Sequence, residues 1–529
     1  MKTIHGLFLA GCSGLALAGC GPTDIASPGT GGNVIINPSP TPTPTATPTP
    51  TPTVTAAAGC PTISDPQGLT DSGTITGPTG SWRVCTLPST INKSITLPKI
   101  AGLLYSLNGR VNVGSDLGFT KTSGEASVTL TIDPGVILFG NTGTSWLAVN
   151  RGNKINAVGT ASAPIVFTSR DNVLGLNTET SQGQWGGVVL MGRAKITDCD
   201  ATGGGTVTGG TCQRNTEGSA DPALFGGQDD TDSSGSMKYV QIRYSGYVLG
   251  SDKELQALTT EGVGSGTTLE YIQSYNSSDD GAEFFGGVVN MKHYVAVGAD
   301  DDSLDIDTGL RGNFQYLLLI QRSGAGDALM EIDSNGASTE TVGGSTSAVF
   351  RQNTKIANFT AIQSAVSSNN ESNDKASILI RGNSDITLAN GVVYSPNNEC
   401  LRMDDNGIVS PGTAATLKAY SVVMSCNSTK YIGSTNFTAT SVGTAFGSGS
   451  NNNNDAFTST LTGVFINGTG EAGVTAYSAI GSLSSYFDVV TYIGAVKDSS
   501  DTWYAGWTCN STAANFGTTS TDCTSLPTS

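Results

Sequence analysis

The chain has 529 residues, 69 of them Gly, and only 13% are charged, with a formal net charge of -17. Such an acidic chain repels a phosphate backbone unless a basic stripe compensates, and none is visible, so no nucleic-acid partner is expected. Two histidines, His5 and His293, are too few for chemistry built on several imidazoles. Apolar spacing of three and four residues is nearly missing, which argues for a turn-rich all-β protein without long helices.

Taken in chain order, MKTIHGLFLAGCSGLALAGC has one lysine followed by a short apolar run, the layout of a signal peptide and too short for a stable membrane span. The lipobox tetrad Leu-Ala-Gly-Cys occurs twice, ending at Cys12 and Cys20. Acylation at Cys20 leaves eight later cysteines, an even set, whereas processing at Cys12 leaves nine. Residues 1–19 are therefore expected to be removed and Cys20 to carry the lipid. Gly21, rather than Asp, favours the outer membrane. Residues 20–59 hold the Pro-Thr alternation NPSPTPTPTATPTPTPTVT, which as polyproline II makes a semi-rigid stalk of roughly 50 Å. The eight cysteines fall as near neighbours, predicting the disulfides Cys60 with Cys85, Cys199 with Cys212, Cys400 with Cys426 and Cys509 with Cys523. An oxidising envelope compartment suits them.

Beyond Cys60, short apolar bursts alternate with Gly, Asn, Asp and Ser clusters, reading as strands and turns. Their recurrence decides the architecture. KYVQIRYSG, EYIQSYNSS, HYVAVGADD and QYLLLIQRS align on Tyr239, Tyr271, Tyr294 and Tyr316, at intervals of 32, 23 and 22 residues. A coil of about 22 to 26 residues with three short strands is the unit of a right-handed parallel β-helix, whose equivalent side chains stack about 4.8 Å apart. The 32-residue interval then contains a turn insertion. Segments from Thr354, Ile386 and Leu417 read as further coils. The expected organisation is an N-terminal β cap region over 60–125, the parallel β-helix over 126–450, and a C-terminal cap with loops over 451–529.

On this register Asp280 lies beneath Asp302, Glu283 lies beneath Asp305, and Asp305-Ile306-Asp307 recurs as Glu331-Ile332-Asp333. Stacked carboxylates repel, so they either fan into solvent at turns or share a cation. One reading is solubilising, edge-protecting charge. A second is calcium held by Asp279, Asp280, Glu283, Asp300, Asp301, Asp302, Asp305 and Asp307, since hard oxygen donors without His or Cys suit that ion, although the spacing is not an EF-hand loop. A third is catalysis by paired carboxylates on a β-helix face. It wants a basic proton acceptor, and Lys292, Arg311 and Arg322 are near in sequence without fixed geometry, so no catalytic residue is assigned. His293 reads as a packed or surface residue. Asp229, Asp230 and Asp232, with Asp404 and Asp405, read as turns with an optional cation. Trp146, Trp185, Trp503, Tyr504 and Trp507 are aromatics that could stack on sugars. Core packing is the expected role of Trp185, and a lid on the last coil that of Trp503 and Trp507.

LTIDPGVILFG with GTASAPIVFTS resembles coil sequences of right-handed parallel β-helix proteins. The longer set WGGVVLMGRAKI, FGGQDDTDSSGSMKYVQIRYSG, GADDDSLDIDTG and YIGAVKDSSDTWYAGWT resembles a family of surface or secreted β-helix proteins of Gram-negative bacteria, often lipoproteins, over roughly residues 100 to 510. That resemblance implies association with a TonB-dependent receptor and no catalytic residue to carry over. The leading expectation is a non-enzymatic outer-membrane lipoprotein, surface-exposed, binding an extracellular glycan or nutrient, with Ca2+ as the one cofactor considered. The alternatives are a polysaccharide lyase or hydrolase, and an adhesin or surface-layer component.

Overall fold

The computed structural model describes residues 53–200, 203–216, 223–250, 253–334, 339–342, 345–368, 375–404, 414–434 and 436–528. Cys12, Cys20, the signal segment, most of the stalk and Asp405 lie outside the described residues. No helix among the described residues is long and apolar enough to cross a membrane.

Strand after strand pairs in parallel with its counterpart one coil away, forming a parallel β-helix. One sheet of eleven strands runs from Thr90–Ile91 to Tyr431–Gly433, and a second of fifteen runs from Thr70–Gly77 to Thr416–Cys426. Alternation along each strand places one set of side chains inside. In the larger sheet Ala157, Met237, Leu269, Met291, Phe314, Ile356, Leu388 and Ala419 form one in-register inner column, all of them buried. The eleven-stranded sheet supplies another through Phe284, Ile306, Ile332, Ile380 and Met403. Parallel pairing already joins Gly80–Thr86 to Leu103–Leu107, within the stretch expected to form a cap. At the other end the helix Ala439–Phe446, started by a Thr438 capping box, inserts Val442 and Phe446 into the core and covers the last coil. All four expected disulfides are present, and Cys400–Cys426 joins the strand start of one coil to the strand end of the next.

The long strands of the larger sheet, Gly235–Arg243 through Thr416–Cys426, each turn a corner at one residue of positive φ. The corner residues are Tyr239, Tyr271, His293, Tyr316, Asn358, Asn390 and Ser421, in register from coil to coil. Left-handed backbone costs a non-Gly residue roughly 1–2 kcal/mol. Here the bend redirects the strand without a loop, and the side chains stack. Ring centroids are 4.4 Å apart for Tyr239–Tyr271, 4.1 Å for Tyr271–His293 and 4.7 Å for His293–Tyr316. The sequence alignment on Tyr294 is corrected by this column: His293 holds the corner, while Tyr294 turns inward, fully buried, and donates its hydroxyl to Ser303 O at 3.0 Å. One left-handed residue breaks the in-out alternation, so counting by identical letters slips by one.

The segment after the helix bonds first to the last long strand, Met424 N–H donating to Asn454 O at 2.8 Å, and does not stop there. It forms a strap that returns along the flank of the solenoid towards the first coils. Amide side chains on alternate coils receive it: Asn390 accepts from Tyr477 N–H at 2.7 Å, Gln315 from Asp488 N–H at 2.8 Å, and Gln273 from Cys509 N–H at 2.7 Å. Gln315 and Gln273 also donate to the carbonyl of the same strap residue, at 2.9 and 3.1 Å, imitating a β-bridge. Buried Arg243 donates to Cys523 O and Ser525 O, and Leu526 ends among Ile75, Trp82 and Val84. Trp507 packs edge-on against Tyr239 and Tyr271, and Trp503 packs against His293. These two tryptophans therefore cover the corner column of the middle coils instead of lidding the last one. Trp146, Trp185, Tyr504 and Trp507 are all buried, which removes them as sugar platforms.

Three outcomes follow. Gln315→Ala leaves the Asp488 backbone without its paired amide, and amide exchange of the strap around 488 quickens by an amount equivalent to about 1–3 kcal/mol. A Cβ at Gly391 would sit 2.1 Å from Phe359 Cζ, so Gly391→Ala lowers global stability in denaturant by about 1–3 kcal/mol. Burial, helped by Lys292, holds the His293 pKa down to about 3. As pH falls below about 6.5 the unfolded chain takes up a proton that the folded chain refuses, so stability declines towards pH 3. His293→Phe removes that decline, a relative gain of about 2 kcal/mol near pH 4.5 in urea unfolding.

Candidate functional site

On the outer surface of the eleven-stranded sheet, Thr259, Glu283, Asp305 and Glu331 stand in one column. One coil corner away, the turn carrying Asp279 and Asp280 stacks on that carrying Asp300, Asp301 and Asp302. Two of these aspartates serve the solenoid itself: Asp280 Oδ1 accepts from Asp302 N–H at 2.9 Å, and Asp302 Oδ1 accepts from Ala328 N–H at 2.7 Å. Each carboxylate thus ties its turn to the next coil. Both are buried and do not fan into solvent.

Two triads emerge, Asp279–Asp280–Asp301 and Asp280–Glu283–Asp305, each with carboxylate oxygens within 4.8 Å of one another. That spread matches oxygens on opposite sides of a Ca2+ ion with ligands at about 2.3–2.6 Å. All donors are oxygen, the set suited to hard cations. The buried Asp305 Oδ1 has no hydrogen-bond partner. Three carboxylates leave positions for water or ligand oxygens on an ion that takes about 6–8. Asp279 and Asp301 also line a cleft of about 380 Å3 with Glu254, Ser278, Asp300, Gly324 and Ser368, so the first triad opens to solvent.

Burial pushes the Asp280 carboxyl well above the usual range, reinforced by Asp279, Asp305 and Asp301. Burial does the same for Asp302, with Asp301 and Glu331 adding to it, and for Asp305, with Glu331 and Asp307. Each of these carboxyls takes up a proton more readily than an ordinary one, and a cation among them relieves the same repulsion.

The expected eight-residue set is divided by the structure. Asp279, Asp280, Glu283, Asp301 and Asp305 make up the triads, while Asp300, Asp302 and Asp307 lie outside them. Asp300 accepts from Gln182 Nε2, and Asp307 from Thr308 N–H. Gln182, 118 residues from Asp300, had no sequence signal; Gln256, which donates to Asp279 at 2.9 Å, stands 23 residues before it, so the coil period was the available clue. Arg381 was missed too. It pairs with Glu331 at 2.6 Å on the same outer face, and the 331–333 repeat was the available clue. The bases named from sequence are engaged elsewhere: Lys292 pairs with Asp488 at 2.8 Å, Arg311 grips Asp230 with two bonds of 3.0 Å, and Arg322 donates to Gln182. Asp229, Asp230 and Asp232 are turn residues, with Lys121 near Asp229, Lys195 and Arg311 on Asp230, and the Arg193 N–H on Asp232. Asp404 pairs with Arg402.

Residues 97–508 match the family model described as a pectate-lyase-like β-helix domain, and the chain belongs to that family. No curated protein and no solved structure matches it.

A carboxyl whose folded pKa is raised stabilises the protein when protonated and loses that contribution as pH rises through the folded value. Asp305→Asn in chelator is therefore expected to gain about 1–2 kcal/mol over the unaltered chain at pH 8. The gain shrinks towards pH 5, read as the difference between their urea unfolding curves.

Proposed function

We propose that this chain is a cell-envelope lipoprotein, anchored in the outer membrane through Cys20 and facing the surface, that binds an acidic polysaccharide through Ca2+ held at the triads around Asp280. The observation that carries this reading is the pair of carboxylate triads sharing Asp280, the first of which opens on a cleft of the β-helix, in a chain of the pectate-lyase-like family. The family description supports carbohydrate as the ligand class. Charge supports the need for an ion, because a protein of net charge -17 and an anionic glycan repel each other. A cation at Asp280 offsets most of the negative charge of a triad, and its remaining positions are open to ligand carboxylates. A TonB-dependent receptor as partner rests on the family resemblance seen in the sequence.

Binding without turnover is favoured by the ion pairs that occupy Lys292 and Arg311. A lyase is the second reading, favoured by Arg381 on the same outer face as Asp305. The full chain is incubated with polygalacturonate and with a neutral glucan, in calcium and in chelator. Tighter retention of the acidic polymer in calcium than in chelator, without new unsaturated or reducing ends, is the expected result. Accumulating ends establish the enzyme reading, and equal retention in calcium and in chelator removes the bridging ion. Calcium is also expected to raise the melting temperature by several degrees, with the rise absent in Asp280→Asn.

A further inference from the structure

The first half of each long strand forms a third face, away from the carboxylate triads. Its outward positions line up without interruption: Thr96, Thr131, Asn156, Ser236 and Thr268 continue into Asn290, Asn313, Lys355, Thr387 and Lys418. Asn313 donates to Asn290 Oδ1 through its backbone at 2.9 Å and its side chain at 2.7 Å, holding the middle of the row in register. Every position in the row bears a hydroxyl, an amide or an ammonium. Thr96, Asn156, Thr268 and Lys418 are exposed, and only Thr387 is buried. At about 4.8 Å per coil the row is roughly 43 Å long, and its repeat is close to the length of one pyranose residue in an extended chain.

Charge on this face runs against that of the molecule. Exposed Lys154 stands beside the row at one end, and Lys355 and Lys418 stand within it at the other, two coils apart across Thr387. Lys355 has the amide of Asn353 as its partner, at 2.8 Å. The proximity of Lys418 adds to burial in lowering the Lys355 pKa, so like charges face each other here. Of the neighbouring acids, Asp385 is held by Arg351 at 2.9 Å and Glu270 by Lys238 at 2.9 Å.

We propose that this row is a second, cation-independent track on which one acidic polysaccharide chain lies parallel to the solenoid axis, its carboxylates meeting Lys355 and Lys418 and its hydroxyls meeting the Thr and Asn side chains. The proposal rests on the glycan-binding reading above and names a separate surface for it. Neutral hydroxyl and amide groups set the direction of the polymer, and the two lysines select an anionic one.

The test compares polygalacturonate binding by the full chain, by Lys355→Glu/Lys418→Glu and by Thr268→Glu, each with calcium and with chelator. The double variant is expected to bind about tenfold more weakly in calcium and to lose the residual binding in chelator, while its calcium-induced rise in melting temperature is unchanged. Thr268→Glu, at an exposed position far from both lysines, is expected to weaken binding in the same direction. Fully methyl-esterified polymer is expected to be indifferent to both changes. If both variants bind as the unaltered chain does while Asp280→Asn abolishes binding, the track is wrong and the calcium site stands. If the unaltered chain retains no acidic polymer under any condition, the glycan reading fails and takes the track with it.

Discussion

Hydrogen-bond register between successive coils decides what every side chain of this protein meets. In a parallel solenoid a residue's nearest neighbours are its equivalents one coil above and below, about 4.8 Å away. Apolar columns become a continuous core without further arrangement. Charged columns become a problem, because like groups are forced together. The row from Glu283 through Asp305 to Glu331 is such a column. Its energetic tension is a direct product of the fold, and protons, Arg381 or a metal ion are the available means of relieving it.

The same register explains the corner. A chain that must change direction on every coil at the same place does so most compactly with a single left-handed residue, and the column of seven such residues from Tyr239 to Ser421 does this without loops. Stacking offsets the backbone cost where the residues are aromatic, and Asn tolerates the conformation in the later coils. The corner then becomes a docking surface. Gln273, Gln315 and Asn390 lie on or beside it, and the amides of Gln273 and Gln315 each bond both backbone groups of one strap residue, which lets an irregular strap attach as a strand would.

Much of this was legible in the sequence because a repeat converts spacing into contact. Once Asp280 and Asp302 are 22 residues apart in a coiled chain, their adjacency follows, as does that of Cys400 and Cys426. Two things escaped that logic. Tyr294 carries the same letter as its apparent equivalents, yet the left-handed residue before it shifts the pattern, and only geometry reveals that His293 is the stacked member. The strap escaped because its contacts join residues such as Gln273 and Cys509, whose separation carries no periodicity. The donor of Gln182 to Asp300 was hidden for the same reason.

The strap has a mechanical meaning. Val54 bridges Gly80, Cys60 is bonded to Cys85, and Leu526 packs in the cluster that holds Val54 and Trp82, so both ends of the described chain meet at one pole of the solenoid. A pull on the chain at Val54 enters at a covalent cross-link and at a hairpin to which the far end of the polypeptide is already fastened. Force there is thus spread along the solenoid by the returning segment, and the coils cannot be peeled open one at a time from that pole.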